Sequence, residues 1–100
     1  MNMYRPLPPY LTIKQSNING LGLFTVEPIK KSSNIGISHV ADRHFANGYI
    51  RTPLGGFINH NTTPNCKTLY EGRLISIITL TDIKAGDEIT LNYTMYDPSR

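Results

Sequence analysis

Two runs in this 100-residue chain carry side chains able to bind or align a reactant. The first is Gly55-Gly56-Phe57-Ile58-Asn59-His60-Asn61-Thr62-Thr63-Pro64-Asn65-Cys66, which sets amides, an imidazole and a thiol in a turn-prone stretch behind two apolar anchors. The second is Gly86-Asp87-Glu88-Ile89-Thr90-Leu91-Asn92-Tyr93, an acidic turn followed by a strand pattern ending in a phenol. Polar groups fixed beside a core are what a small-ligand site needs. A third element, Gly20-Leu21-Gly22, is a glycine pair in a tight turn, where a backbone can approach a ligand closely.

Several chemistries are disfavoured by spacing. His39, His44 and His60 are scattered and lack acids at fixed offsets, so no metal site is expected. The glycine pair lacks the third glycine and following helix of a dinucleotide-binding fingerprint. No strand–turn–helix nucleophile elbow is present to support a Ser/His/Asp triad. Taken alone, Asn59 and His60 read as caps of a polar turn.

These residues must be held by short strands. Pro6, Pro8 and Pro9 keep the N-terminus extended. Tyr10 to Lys14 reads as a strand, Asn17-Ile18-Asn19-Gly20 as a turn, and Leu21 to Val26 as a second strand stopped by Pro28. A third strand lies within Ser33 to Val40. Residues 41–53 show no clear period, with a short helix near Asp42 to Asn47 as one option. Lys67 to Tyr70, the turn Glu71-Gly72 and Arg73 to Leu80 read as a hairpin whose second arm is central and buried on both faces. Glu88 to Tyr93 alternates Ile89, Leu91 and Tyr93 as a last strand. The ends, 1–9 and 97–100, are expected to fray. No sustained helical stripe occurs, and the fold class is all-β or β-rich, a single domain of short strands.

Composition narrows the setting. The one cysteine, Cys66, excludes an internal disulfide and a cysteine-held zinc, which favours a reducing, intracellular compartment. No apolar run approaches the roughly 18 residues of a membrane span, and no leader pattern opens the chain. The formal charge of +3 is mild and Lys30-Lys31 is the one adjacent basic pair, so nucleic acid is not expected as a partner.

The order of the three motifs is more specific than any one of them. From about Leu11 to Tyr96 the chain resembles the SET domain family, β-rich protein-lysine methyltransferases that use S-adenosyl-L-methionine. Asn59-His60-Asn61-Thr62-Thr63-Pro64-Asn65 resembles the family's Asn-His-Ser-x-x-Pro-Asn motif, and Gly86 to Tyr93 its Gly-Glu-Glu-Leu-x-x-x-Tyr motif. Gly20-Leu21-Gly22-Leu23-Phe24 resembles its Gly-x-Gly turn. The resemblance implies several small sheets, with the C-terminal part threaded through a loop in a knot-like core and the last strand passing close to Asn59-His60. It implies cofactor contacts at Gly20, Leu21, Gly22, Leu23, Asn59 and His60, with His60 acting largely through its backbone. It implies that Tyr93 sits beside the transferred methyl and is central to catalysis. The displacement needs alignment, dryness and a neutral lysine, whose ordinary pKa is about 10.4. Tyr93 is therefore expected to orient and polarise rather than abstract a proton. Tyr96, Tyr49 and Tyr70 are candidates for the adenine pocket or the lysine channel, Tyr96 on the cofactor side and the other two on the substrate side.

The chain departs from the family pattern in places. Asn61 and Thr62 replace a serine and a cysteine, and Gly36-Ile37-Ser38-His39 replaces Tyr-x-Gly-Glu. The region 41–55, which helps set substrate choice in the family, is minimal. The cysteine-rich segment that often follows the last tyrosine in the family is expected to be missing, as in minimal viral or phage members. Either the cofactor is then loosely held, or a second subunit closes the site in a homodimer. A viral source would place the protein in host cytoplasm or nucleus. The expected partner is a lysine-containing protein or peptide, with a histone tail as the family's best-known class. The alternatives are a non-catalytic SET-like module holding cofactor or lysine peptide, and a small basic nucleic-acid-binding β protein.

Overall fold

The computed structural model describes residues 7–42 and 48–92. Eight short strands and one helical turn follow in order: β1 (Leu11–Gln15), β2 (Leu21–Thr25), β3 (Asn34–Ala41), β4 (Tyr49–Arg51), α1 (Pro53–Gly56), β5 (Asn59–His60), β6 (Cys66–Glu71), β7 (Leu74–Thr79) and β8 (Thr90–Leu91). They form three sheets. β1 and β2 make an antiparallel hairpin, β4-β3-β7-β6 make a four-stranded sheet, and β5 pairs with β8 in parallel.

The β-rich expectation and the first three strands hold to within a residue or two. The hairpin β6–β7 also forms, but its loop is Gly72-Arg73, one residue later than the sequence suggested, with Glu71 opposite Leu74. Gly72 takes φ +58, a value that suits the first loop residue of a tight hairpin. β7 is central, between β3 and β6, and its consecutive residues Ile75, Ser76 and Ile77 are all buried. One continuous core links Leu11 and Leu23 of the hairpin to Ile35, Ile75 and Ile77 of the large sheet and to Ile58, Ile89 and Leu91. Each such side chain removed from water is worth roughly 1.5–3 kcal/mol. Leu7 and Tyr10 pack against this core, so the stretch from Leu7 onward is anchored.

Two local expectations change. The stretch before Asn59, turn-prone in sequence, contains α1. Thr52 caps it, its Oγ1 accepting from Gly55 N at 3.3 Å, and Pro53 opens it with a φ already helical. The final strand is shorter than the alternation of Ile89, Leu91 and Tyr93 implied. Ile89, Thr90 and Leu91 are all buried, because the segment is covered on both sides instead of lying on an open sheet. The helix option near 42–47, the fraying expected at the C-terminal end and the C-terminal part of the expected knot lie largely or wholly outside the described residues.

Candidate functional site

Residues 86–91 bring the three motifs together. Gly86, at φ +92, turns the chain into place and its N donates to Thr25 O at 2.7 Å. Thr25 N donates to Asp87 O at 3.1 Å, and Ile89 N to Leu23 O at 2.7 Å. These bonds fasten residues 86–89 along β2, the strand that leaves the glycine turn. The chain then changes partner. Thr90 lies opposite Asn59 and Leu91 opposite His60, and Asn61 N donates to Leu91 O at 2.9 Å. The last strand does pass beside the Asn-His segment, as the family resemblance implied.

Asn65 locks this junction. Its Nδ2 donates to Glu88 O at 2.7 Å, while its Oδ1 accepts from Thr90 N at 2.9 Å. One side-chain amide thus imitates a neighbouring strand for the backbone of residues 88–90. Asn65 N donates in turn to Thr90 Oγ1 at 3.2 Å, and Leu80 N to Asn65 O at 2.8 Å. The asparagine of the Pro-Asn pair is therefore a fold element that holds the site's floor.

Around this floor the polar groups are ordered. Asn59 is half-buried, and its Nδ2 faces three oxygens: Glu88 Oε2 at 2.8 Å, Asn19 O at 3.1 Å and Leu21 O at 3.3 Å. Glu88 also accepts from Ser16 Oγ, at 2.7 Å through Oε1 and 2.9 Å through Oε2. The glycine pair divides its labour. Gly20, with φ +49, closes the turn, its O accepting from Ser16 N at 2.8 Å. Gly22 is small because a Cβ there would collide with Glu88 Oε2. Glu88 was not singled out from the sequence. The available signal was an acid one residue before the final apolar pattern, with a glycine in the strand it pairs with.

The remaining candidates are placed variously. Leu21 is 52% exposed at the mouth of the turn, whereas Leu23 is fully buried and its O is engaged by Ile89 N, leaving no side-chain surface for a ligand. His60 is half-buried on β5. Tyr49 and Tyr70 are not brought together. Tyr49 is on β4 and Tyr70 on β6, the two edges of the four-stranded sheet, with β3 and β7 between them. Tyr49 packs edge-on against His39, with centroids 6.1 Å apart and planes at 87°, and Tyr70 is 51% exposed. Tyr93, Tyr96 and His44 lie outside the described residues. Among the described residues no cluster of His, Cys, Asp and Glu could hold a metal ion, and no helix is long and apolar enough to cross a membrane.

The two other reactive groups are tied into the fold. His39 is buried, and desolvation, then the charge of Arg51 opposite it, lower its pKa to about 4. Burial pushes the Cys66 thiol up to about 12, which removes it as a nucleophile at neutral pH.

The SET domain model matches residues 38–94, more than half of the chain. The chain belongs to the SET domain family. It is 33% identical over 52 residues to a SET and MYND domain-containing protein of Dictyostelium discoideum, a match covering 52% of this chain and 13% of that protein. The fold is similar to the crystal structure of a candidate histone methyltransferase of Plasmodium falciparum. There the TM-score is 0.69 at 23% identity, covering 87% of this chain and 95% of the other. It is equally similar, at TM-score 0.69 and 20% identity, to the methyltransferase domain of human PR domain-containing protein 2, covering 85% of this chain and 77% of that one. The matched family segment contains Asn59, Asn65 and Glu88 but begins after the glycine turn, which the bonds from Asn59 and residues 86–89 attach to it.

Proposed function

We propose that this protein is an S-adenosyl-L-methionine-dependent protein-lysine methyltransferase whose cofactor cradle is formed by Gly20, Leu21, Gly22, Asn59 and His60. The observation that supports it most is the convergence of the glycine turn and the Asn-His segment on residues 86–91 within a SET fold. The side chains suit such a cofactor. Its amino-acid end carries an ammonium next to a carboxylate and its sulfur a positive charge, and the cradle is rich in oxygens that suit the two cationic groups: the Glu88 carboxylate, the Asn59 amide and the carbonyls of Asn19 and Leu21. Exposed Leu21 offers an apolar surface beside them. The bound cofactor supplies an electrophilic methyl on a sulfonium. Asn59 binds and orients the amino-acid end, and His60 contacts the adenine side. Leu23 contributes through its backbone only.

Tyr93 is assigned the orienting role at the lysine amine, with Tyr96 on the cofactor side. Tyr49 and Tyr70 are proposed to act on the substrate side, and their positions on opposite sheet edges mean that one peptide would meet them at separate points. A basic, lysine-bearing protein tail is the proposed substrate class, and a homodimer is the proposed means of closing the site.

Calorimetry with S-adenosyl-L-methionine, followed by labelled-methyl transfer to basic peptides, tests this reading. Asn59→Ala should weaken cofactor binding, and Tyr93→Phe should cut turnover while leaving binding nearly intact. Cofactor binding without transfer to any protein of a cell lysate would replace the enzyme by a binding module. Absence of cofactor binding would overturn the proposal.

A further inference from the structure

We infer that Glu88 is a positioning residue that fixes the orientation of the Asn59 amide, so that the site offers an incoming ligand an amide oxygen and thereby favours a positively charged N–H donor such as an ammonium. This rests on the proposed cofactor cradle and adds to it the residue that sets its polarity.

The argument starts from the two ends of an amide. Nδ2 carries two protons and Oδ1 carries none, so the groups around an asparagine decide which end faces where. The three neighbours of Asn59 Nδ2 are all acceptors: two backbone carbonyls and a carboxylate oxygen. Turning the amide over would aim Oδ1 at three oxygens. The carbonyls of Asn19 and Leu21 are the longer contacts, at 3.1 and 3.3 Å. The carboxylate contact is the shortest, at 2.8 Å, and it is charge-assisted, which makes it about twice as strong as a neutral bond. Glu88 therefore dominates the choice.

Glu88 is itself held. Ser16 Oγ donates to its carboxylate from the glycine turn, and its own backbone is gripped by Asn65 Nδ2. The missing side chain of Gly22 provides the room the carboxylate occupies. The consequence is at the opposite end of the amide. Asn59 Oδ1 accepts no hydrogen bond from the described residues, while the residue is only half-buried. An anion would meet an oxygen there and be repelled. A cationic N–H donor would gain a bond and the field of the carboxylate behind it.

The test uses three variants and two measurements. In the free, ¹⁵N-labelled protein, the Asn59 side-chain NH₂ should exchange slowly with solvent. Glu88→Ala should speed that exchange by at least about tenfold, the scale of one hydrogen bond to a charged group. Glu88→Gln, which can still turn an oxygen toward Asn59, should restore most of the protection, and Ser16→Ala should leave it within about threefold of the wild type. Fast exchange of the Asn59 NH₂ in the wild type itself would overturn the inference even if Glu88→Ala fails to fold. By calorimetry, Glu88→Ala should bind S-adenosyl-L-methionine at least about tenfold more weakly, with rescue by Glu88→Gln. A Glu88→Ala protein that melts earlier but binds the cofactor like wild type would reduce Glu88 to a structural role and overturn the inference. If the wild type binds no S-adenosyl-L-methionine, the cradle reading fails, and the exchange measurement still decides whether Glu88 orients Asn59.

Discussion

Lowering the pH from 7 to 4 should destabilise this fold through His39, and the size of the effect follows from its surroundings. His39 is 2% exposed and sits in β3 with Arg51 opposite it. Its Nδ1 lies 3.0 Å from Ser38 Oγ, and Ser38 Oγ donates its single proton to Ile75 O at 3.1 Å. Adding a second proton would charge a buried ring beside a guanidinium, so burial and Arg51 lower the pKa from 6.5 to about 4. In the unfolded chain His39 binds its proton near pH 6.5. Between 6.5 and 4 the unfolded state holds the extra proton, so stability is full above 6.5 and falls as the pH drops toward 4. At about 1.36 kcal/mol per pH unit, that interval amounts to about 3 kcal/mol. This is a large share of the roughly 5–15 kcal/mol that holds a small domain folded. Urea unfolding followed by circular dichroism at pH 7, 6, 5 and 4 measures it directly. His39→Gln keeps a polar group against Ser38 but cannot titrate in this range. Its stability should fall less steeply between pH 6.5 and 4 than that of the wild type, because carboxylates and other histidines contribute equally to both. Parallel curves for the two proteins, or a His39 proton resonance titrating near 6.5, would refute the reasoning.

Three further perturbations probe the framework of the site. Asn65→Ala strips partners from Glu88 O and Thr90 N in a buried junction and should cost about 2–5 kcal/mol by denaturant unfolding; a loss under 1 kcal/mol would show that the clamp is not formed. Gly55→Ala should unfold or severely destabilise the domain, since its Cβ would collide with the backbone carbonyl of Ser38. Gly56→Ala, whose nearest neighbour is Arg51 Cδ at 3.7 Å, should be tolerated, and equal melting temperatures for the two variants would contradict the packing of α1 on β3. Cys66, buried with its thiol pushed up to about 12, should resist iodoacetamide at pH 8 in the native protein and react on unfolding, as read by mass spectrometry; rapid native labelling would count against that burial.

The sequence made the strands and the order of the motifs readable because both depend on local signals. Alternation and turn residues marked β1, β2, β3, β6 and β7 to within a few residues. Thr52-Pro53 was a readable helix start, but four residues of helix leave no periodicity to notice. The parallel pairing of β5 with β8 depends on contacts between residues about thirty positions apart, and no local pattern encodes it. The same holds for Asn65, whose role is a pair of bonds to another segment's backbone. Gly22 shows the ambiguity in physical terms. A glycine in a strand signals a close approach, but the sequence does not say by what. The resemblance implies a cofactor at its backbone, and the structure adds the Glu88 carboxylate, in the space a side chain would fill.

That close approach of Glu88 bears on how a domain this small can keep a site in register. β5 and β8 offer only two paired positions, too few to fix a parallel register by ladder bonds alone. The register is instead set from the side. Asn65 grips residues 88–90 from one direction, and β2 grips residues 86–89 from the other. Glu88 is held at two points, through its carbonyl by Asn65 and through its carboxylate by Ser16 and Asn59. A slip of one residue would move that carboxylate to the opposite face and leave Asn59 facing bare carbonyls. The bonds that fix the fold here and the bonds that would orient a ligand therefore share a single side chain. Substitutions at the junction should consequently change stability and ligand affinity together, whereas changes confined to Leu21, at the exposed mouth, should move affinity alone.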